Sequence, residues 1–213
     1  MSKSDRKQQK KIERKKAKRK VIIAKKMVKS KDESSFVAID AEKVSHYPVY
    51  ECLVSREILD IGIGNVLFSR ILPNDKIAVI ILTVDVYCLG VKNAFYRVIS
   101  KAEYNDTLRE QHNLKDKIQF AEKEPSWIRK LVEGSVSYAK NLGFNPHPDY
   151  MKARMLFGDV DPNECAEEIE FGKGGKPFYV AGPRENFTQQ KTIINQLTRV
   201  CGEDGFEYMA FIQ

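Results

Sequence analysis

The chain has 213 residues, 42% of them hydrophobic and 10% aromatic, enough for one domain with a real core plus an appendage, so a wholly disordered chain is excluded. Its formal charge of +7 hides a division: residues 1–31 hold 15 Lys and Arg against Asp5 and Glu13, a balance of +13, and the remaining 182 residues carry 21 basic and 27 acidic groups, or −6. The basic character therefore belongs to one end of the chain, and the body is mildly acidic.

Residues 1–35 contain almost no apolar side chains before Val21. Such a stretch cannot bury enough surface to offset chain entropy, so it is expected to be disordered alone, with helix formers that a partner can order. Neutralising phosphates is the common task of a tail of this kind, because each contact releases condensed counterions without reading sequence. The densest part is Arg14, Lys15, Lys16, Lys18, Arg19 and Lys20, which are the expected nucleic-acid contacts; in a eukaryotic chain the same run would also read as a nuclear address. The apolar stretch 21–24 is too short for a signal peptide, and the run 77–86 falls far below the roughly 20 residues of a membrane-spanning helix, so a soluble, cytoplasmic protein is expected.

The body opens with a linker to Tyr47, in which 36–40 has strand composition, and a β-friendly segment at 50–59. Two apolar runs, 66–72 and 77–84, flank the turn Pro73-Asn74-Asp75 and read as a β-hairpin at the centre of a sheet. Alternation in the second run puts Ala78, Ile80, Leu82, Val84, Val86 and Cys88 on a face that must be covered by helices. The other face turns polar halfway along, at Thr83, Asp85 and Tyr87, the pattern of a covered strand whose end opens to a cleft. An ionised carboxylate among apolar residues is costly unless paired or metal-bound, which makes Asp85 the first candidate for a site residue. The segment 90–98 reads as a Gly/Asn corner supplying Lys92, Asn93 and Arg97 beside it.

Ser100 to Glu103 has the form of a capping box that opens a helix to about Gln111, and 112–124 reads as a charged connection. Pro125-Ser126 opens an amphipathic helix that ends at Gly143, and two prolines then set off a short helix from Asp149 to Phe157. The Gly-rich stretch 172–176 predicts a second hairpin, a final helix runs over 185–200, and 206–212 is a last strand expected to join the main sheet. The four cysteines and three histidines share no ligand spacing, which argues against zinc and for reduced thiols.

The stretches VDVYCLGVKNAFYRV (84–98), GFNPHPDYMKARMLFGDVDP (143–162) and GKPFYVAGP (175–183) resemble those of a bacterial protein family with basic N-termini. That resemblance implies no activity and no cofactor.

Taken together, the sequence predicts an α+β fold: a mostly antiparallel sheet around a long central hairpin with helices packed on it. Three functions are compatible with it. The first is nucleic-acid binding, RNA or ribonucleoprotein favoured over DNA, with the tail supplying affinity and the body orientation. A second is a metal-dependent phosphodiesterase or nuclease, with Asp85, Asp159 and Asp161 holding Mg²⁺ or Mn²⁺ and Lys92 or His147 acting as charge stabiliser or acid/base. The third is a protein-binding adaptor or antitoxin-like protein.

Overall fold

A computed structural model of the chain describes residues 40–106, 119–183 and 185–210; the expectations for the basic tail, for the strand-like 36–39 and for the far end of the helix opened by Ser100 lie outside them. The expected α+β architecture is present. Five antiparallel strands, β1 (Val49–Ser55), β2 (Ile63–Leu72), β3 (Lys76–Asp85), β4 (Gly90–Ser100) and β5 (Phe120–Glu122), stand in the order β4-β3-β2-β1-β5. The predicted hairpin is β2–β3, paired without interruption from Leu72↔Lys76 to Ile63↔Asp85. Asn74 and Asp75 take the left-handed conformation in its turn, which their short polar side chains tolerate better than most residues do.

Among the described residues the sheet is accompanied by two longer helices, α1 (Pro125–Asn141) and α2 (Phe187–Cys201), by the helical stretch 101–106 that follows Ser100, and by several single turns. Proline at its first turn opens α1, and a capping box closes the start of α2: Asn186 accepts from the Gln189 N–H, and the Gln189 side chain accepts from the Asn186 N–H. The main core forms where α1 lays Trp127, Ile128, Leu131, Val132 and Val136 on the face of the sheet carrying Phe68, Ala78, Ile80, Leu82 and Val84. That is the face the alternation of β3 marked for burial. Gly90 makes the contact close enough: a Cβ there would stand 2.9 Å from the Ala139 Cβ and 3.0 Å from the Ser135 carbonyl oxygen. A smaller core joins Cys88 and Leu89 to Leu142, Tyr179, Leu197 and Phe206.

Four expectations are corrected. Residues 90–100 form β4 rather than a corner: a bulge after Thr83↔Asn93 takes up one extra residue, so that Gly90 and Asn93, both common in turns, sit within a strand. Within the charged connection, 120–122 forms β5 and pairs with β1. The Gly-rich stretch folds as a tight turn with Lys173 opposite Lys176, but no hairpin of strands extends from it. Instead β6 (Phe178–Val180) pairs in parallel with β7 (Glu207–Met209), so the last strand builds its own two-stranded sheet and does not join the main one. α2 supplies the crossover that a parallel pair requires. Among the described residues no helix is long and apolar enough to cross a membrane.

One buried cation ties the sheet to the segment beyond α1. Arg70 lies on the helix-facing side of β2, in alternation with Val66, Phe68 and Leu72, and is 3% exposed. Its guanidinium donates to the carbonyl oxygens of Leu156 (2.8 Å), Phe157 (2.7 Å) and Tyr47, and stands 3.5 Å from the exposed carboxylate of Asp159. Leu156 and Phe157 end a short helical turn, where carbonyl oxygens lack intrahelical donors, and Tyr47 stands in the bend before β1. Arg70→Met should therefore lower the unfolding free energy by about 3–5 kcal/mol, and Arg70→Lys by nearly as much because one ammonium cannot reproduce the fork; urea titration of the three proteins measures both.

Candidate functional site

The polar corner where β3 passes into β4 contains Asp85 and Lys92 and gathers groups distant in sequence. Asp85 is 5% exposed at the end of β3. Its carboxylate accepts the backbone N–H groups of Tyr87 (3.0 Å) and Cys88 (2.9 Å), so it caps the tight connection 86–89. Burial raises its pKa to about 6, against the opposing pull of Lys92 and of the N–H groups of Cys88, Tyr87 and Leu89. The connection itself is pinned on both sides. The Val86 N–H donates to Gly62, the Val86 carbonyl accepts from Gly172, and the Tyr87 hydroxyl lies 2.7 Å and 3.0 Å from the carbonyl oxygens of Leu59 and Asp60. Gly62 is required beneath that ring, because it holds φ +88° and a Cβ would fall 2.0 Å from Tyr87 Cδ2.

Lys92 leaves the corner in the direction of α2. Its Nζ is 2.6 Å from Glu185 Oε1, while Glu185 Oε2 accepts from the Tyr179 hydroxyl (2.6 Å) and the Gly182 N–H (2.9 Å). Burial opposes ionisation of Glu185, but the hydrogen bonds of Lys92, Tyr179 and Gly182 prevail and hold its pKa below the ordinary value. Burial also drives the Cys88 thiol and the Tyr179 phenol upward, so both stay protonated. With the cation, the carboxylate and the phenol satisfied by one another, this corner offers structure in place of a nucleophile. Glu185 and Tyr179 had no signal in the sequence, since they lie 93 and 87 positions from Lys92.

The remaining predicted residues stand apart. The His147 N–H donates to the Val91 carbonyl (2.8 Å), which lays the loop along the start of β4, and its Nδ1 accepts from the Asp149 N–H (3.2 Å). Asp159 faces solvent beside Arg70, and Asp161 caps the turn Pro162–Glu164 by accepting from both nitrogens of Asn163 (2.8 and 2.9 Å). Among the described residues no group of three or more His, Cys, Asp or Glu side chains stands close enough to hold a metal ion. The triad of Asp85, Asp159 and Asp161 expected for Mg²⁺ or Mn²⁺ is thus not assembled: each carboxylate serves a local turn or a structural cation.

A different surface has the features of a ligand platform. On the face of the sheet away from α1, the register aligns Asn93, Thr83 and Asn65 in one row and Phe95, Ile81 and Leu67 in the next, with Arg97 two residues beyond Phe95. Phe95 is 51% exposed, and Arg97 is exposed without an ion pair among the described residues. Thr83 donates to Asn65 Oδ1 (3.2 Å), and Asn93 Oδ1 accepts the Ala94 N–H (3.0 Å), which commits both amide oxygens within the protein. The far end of the same face is closed by Tyr104, packed with Ile77 and Val79, its hydroxyl donating to Glu51 (2.7 Å). Lys92, Asn93 and Arg97 were seen in the sequence together, but only Asn93 and Arg97 reach this face. Comparison with protein-family models gives no match, and no curated protein or solved structure matches the chain.

The burial of Asp85 has a pH signature. Its folded pKa of about 6 lies above the ordinary 3.8, so its contribution is fully present below the lower value and is lost as pH rises through the upper one. The difference in unfolding free energy between the wild type and Asp85→Asn should shift against the wild type by about 2–3 kcal/mol between pH 3.8 and 7.5, as measured by denaturant titrations at each pH.

Proposed function

We propose that the protein binds nucleic acid, RNA or a ribonucleoprotein in preference to DNA, with the basic segment supplying affinity and the α+β body supplying orientation. The observation that carries this reading is the charge division: +13 in residues 1–31 against −6 in the remainder. A polyanion is attracted to the first and repelled on average by the second, which concentrates most of the electrostatic contact in a definable part of the chain. The partly exposed row of amides with the adjoining Phe95 supports RNA, since single-stranded regions are read by stacking and by hydrogen bonds to base edges.

Replacing Arg14, Lys15, Lys16, Lys18, Arg19 and Lys20 together by Gln in the full chain tests the reading. Six phosphate contacts correspond to a slope of about −4 in log K against log salt for a single strand. The substituted protein should lose that slope and most of its affinity at low salt, measured by fluorescence anisotropy with labelled RNA. Equal affinity and equal slope in the two proteins would overturn the proposal.

A further inference from the structure

The sheet face opposite α1 carries two small apolar clusters, Leu53, Leu67 and Phe120 at one side and Ile77, Val79 and Tyr104 at the other, and beside them an arrangement of exposed and half-buried groups on β4 and β2 that belongs to neither. The arrangement combines an exposed phenyl ring, a guanidinium without an ion pair among the described residues and two side-chain amides, on β4 and, across β3, on β2. We propose that this face is a binding platform for single-stranded RNA: one base stacks on Phe95, the amide N–H groups of Asn93 and Asn65 donate to base carbonyl oxygens, and Arg97 meets a backbone phosphate. This rests on the nucleic-acid reading above and assigns it a place on the body.

The chemistry of the face selects this occupant over others. Phe95 and Arg97 project from the same side of β4 two residues apart, roughly 7 Å along the strand, so a ligand that touches both must present a flat apolar surface and an anion within one repeat unit. A nucleotide does so. Its base offers a π face that stacks on an aromatic ring whatever the sequence, and its phosphate pairs with a guanidinium. The Asn93-Thr83-Asn65 row argues against an apolar helix or a second hydrophobic sheet, since such a partner would bury the amide N–H groups with nothing to accept them. Because both amide oxygens accept from the protein itself, donors remain to face the ligand, which fits the carbonyl oxygens of uracil. A duplex is unsuited: its bases are already stacked on one another and cannot reach a ring standing on a flat sheet.

The test uses the full chain with a labelled 12-mer of oligouridylate, a duplex of equal length and a 12-mer of oligothymidylate. Phe95→Ala should weaken binding of the single strand about tenfold and leave the duplex, held by the tail, unchanged. Phe95→Trp should restore affinity and gain a fluorescence signal that the oligonucleotide quenches, a response that the buried Trp127 does not give. Arg97→Ala should reduce the salt slope for the single strand by about 0.7. An unchanged melting temperature establishes that Phe95→Ala folds, as its exposure leads one to expect. The oligothymidylate arm tests the source: Phe95→Ala should weaken oligouridylate at least as much as oligothymidylate, and a loss confined to oligothymidylate overturns the RNA platform. If wild type binds the single strand and Phe95→Ala binds it equally well, the platform is overturned while the tail reading stands; if wild type binds no nucleic acid, both fall. If Phe95→Ala instead turns a dimer into a monomer in sedimentation without altering oligonucleotide affinity, the face joins two copies of the chain and the platform is equally overturned.

Discussion

A guanidinium buried among apolar side chains is the constraint that orders much of this fold. Removing Arg70 from water is expensive, and the cost is offset only because its planar fork meets main-chain carbonyls from two separate segments, around Tyr47 and around Leu156–Phe157. Those segments are not adjacent in sequence to β2 or to each other. Once the fork is satisfied, the short turns Tyr150–Ala153 and Arg154–Phe157 have a fixed seat on the sheet, with Phe157 edge-on to Phe68 at 5.0 Å. The loop that carries His147 is positioned from the same seat.

The buried Asp85 and the half-buried Glu185 at the β3–β4 corner show how neighbours decide the fate of a charge. Asp85 is surrounded mostly by neutral donors, and burial prevails. Glu185 has a cation at 2.6 Å as well as a phenol and a backbone N–H, and there the hydrogen bonds prevail. Asp85 stands out in the sequence because a carboxylate inside an apolar strand requires partners. Its partners are the N–H groups of its own turn, and this need for satisfaction is met locally without any ligand.

Much of the architecture was legible because it is written in local periodicity. The β2–β3 hairpin follows from two alternating runs around Pro73-Asn74-Asp75, and α1 from helical spacing between Pro125 and Gly143. β4 was hidden because glycine and asparagine usually signal turns, and only the bulge lets a strand absorb them. The parallel pairing of Phe178–Val180 with Glu207–Met209 joins residues 29 apart, a relation that no local pattern encodes. Arg70 is legible as well: in the series Val66, Phe68, Arg70, Leu72, alternation alone places it on the covered side. Glu185 was not, since its role depends on a contact across most of the body.

The loop through Pro146, His147 and Pro148 has a bearing on the exposed margin of the sheet. An eleven-residue strand at the margin of a sheet invites another chain to continue the hydrogen-bond ladder. Along the first part of β4 that invitation is answered from within the molecule, by the main-chain N–H of His147 on Val91. Flanking prolines then withhold the donors on either side, so the loop supplies a single rung and does not itself extend the ladder along β4.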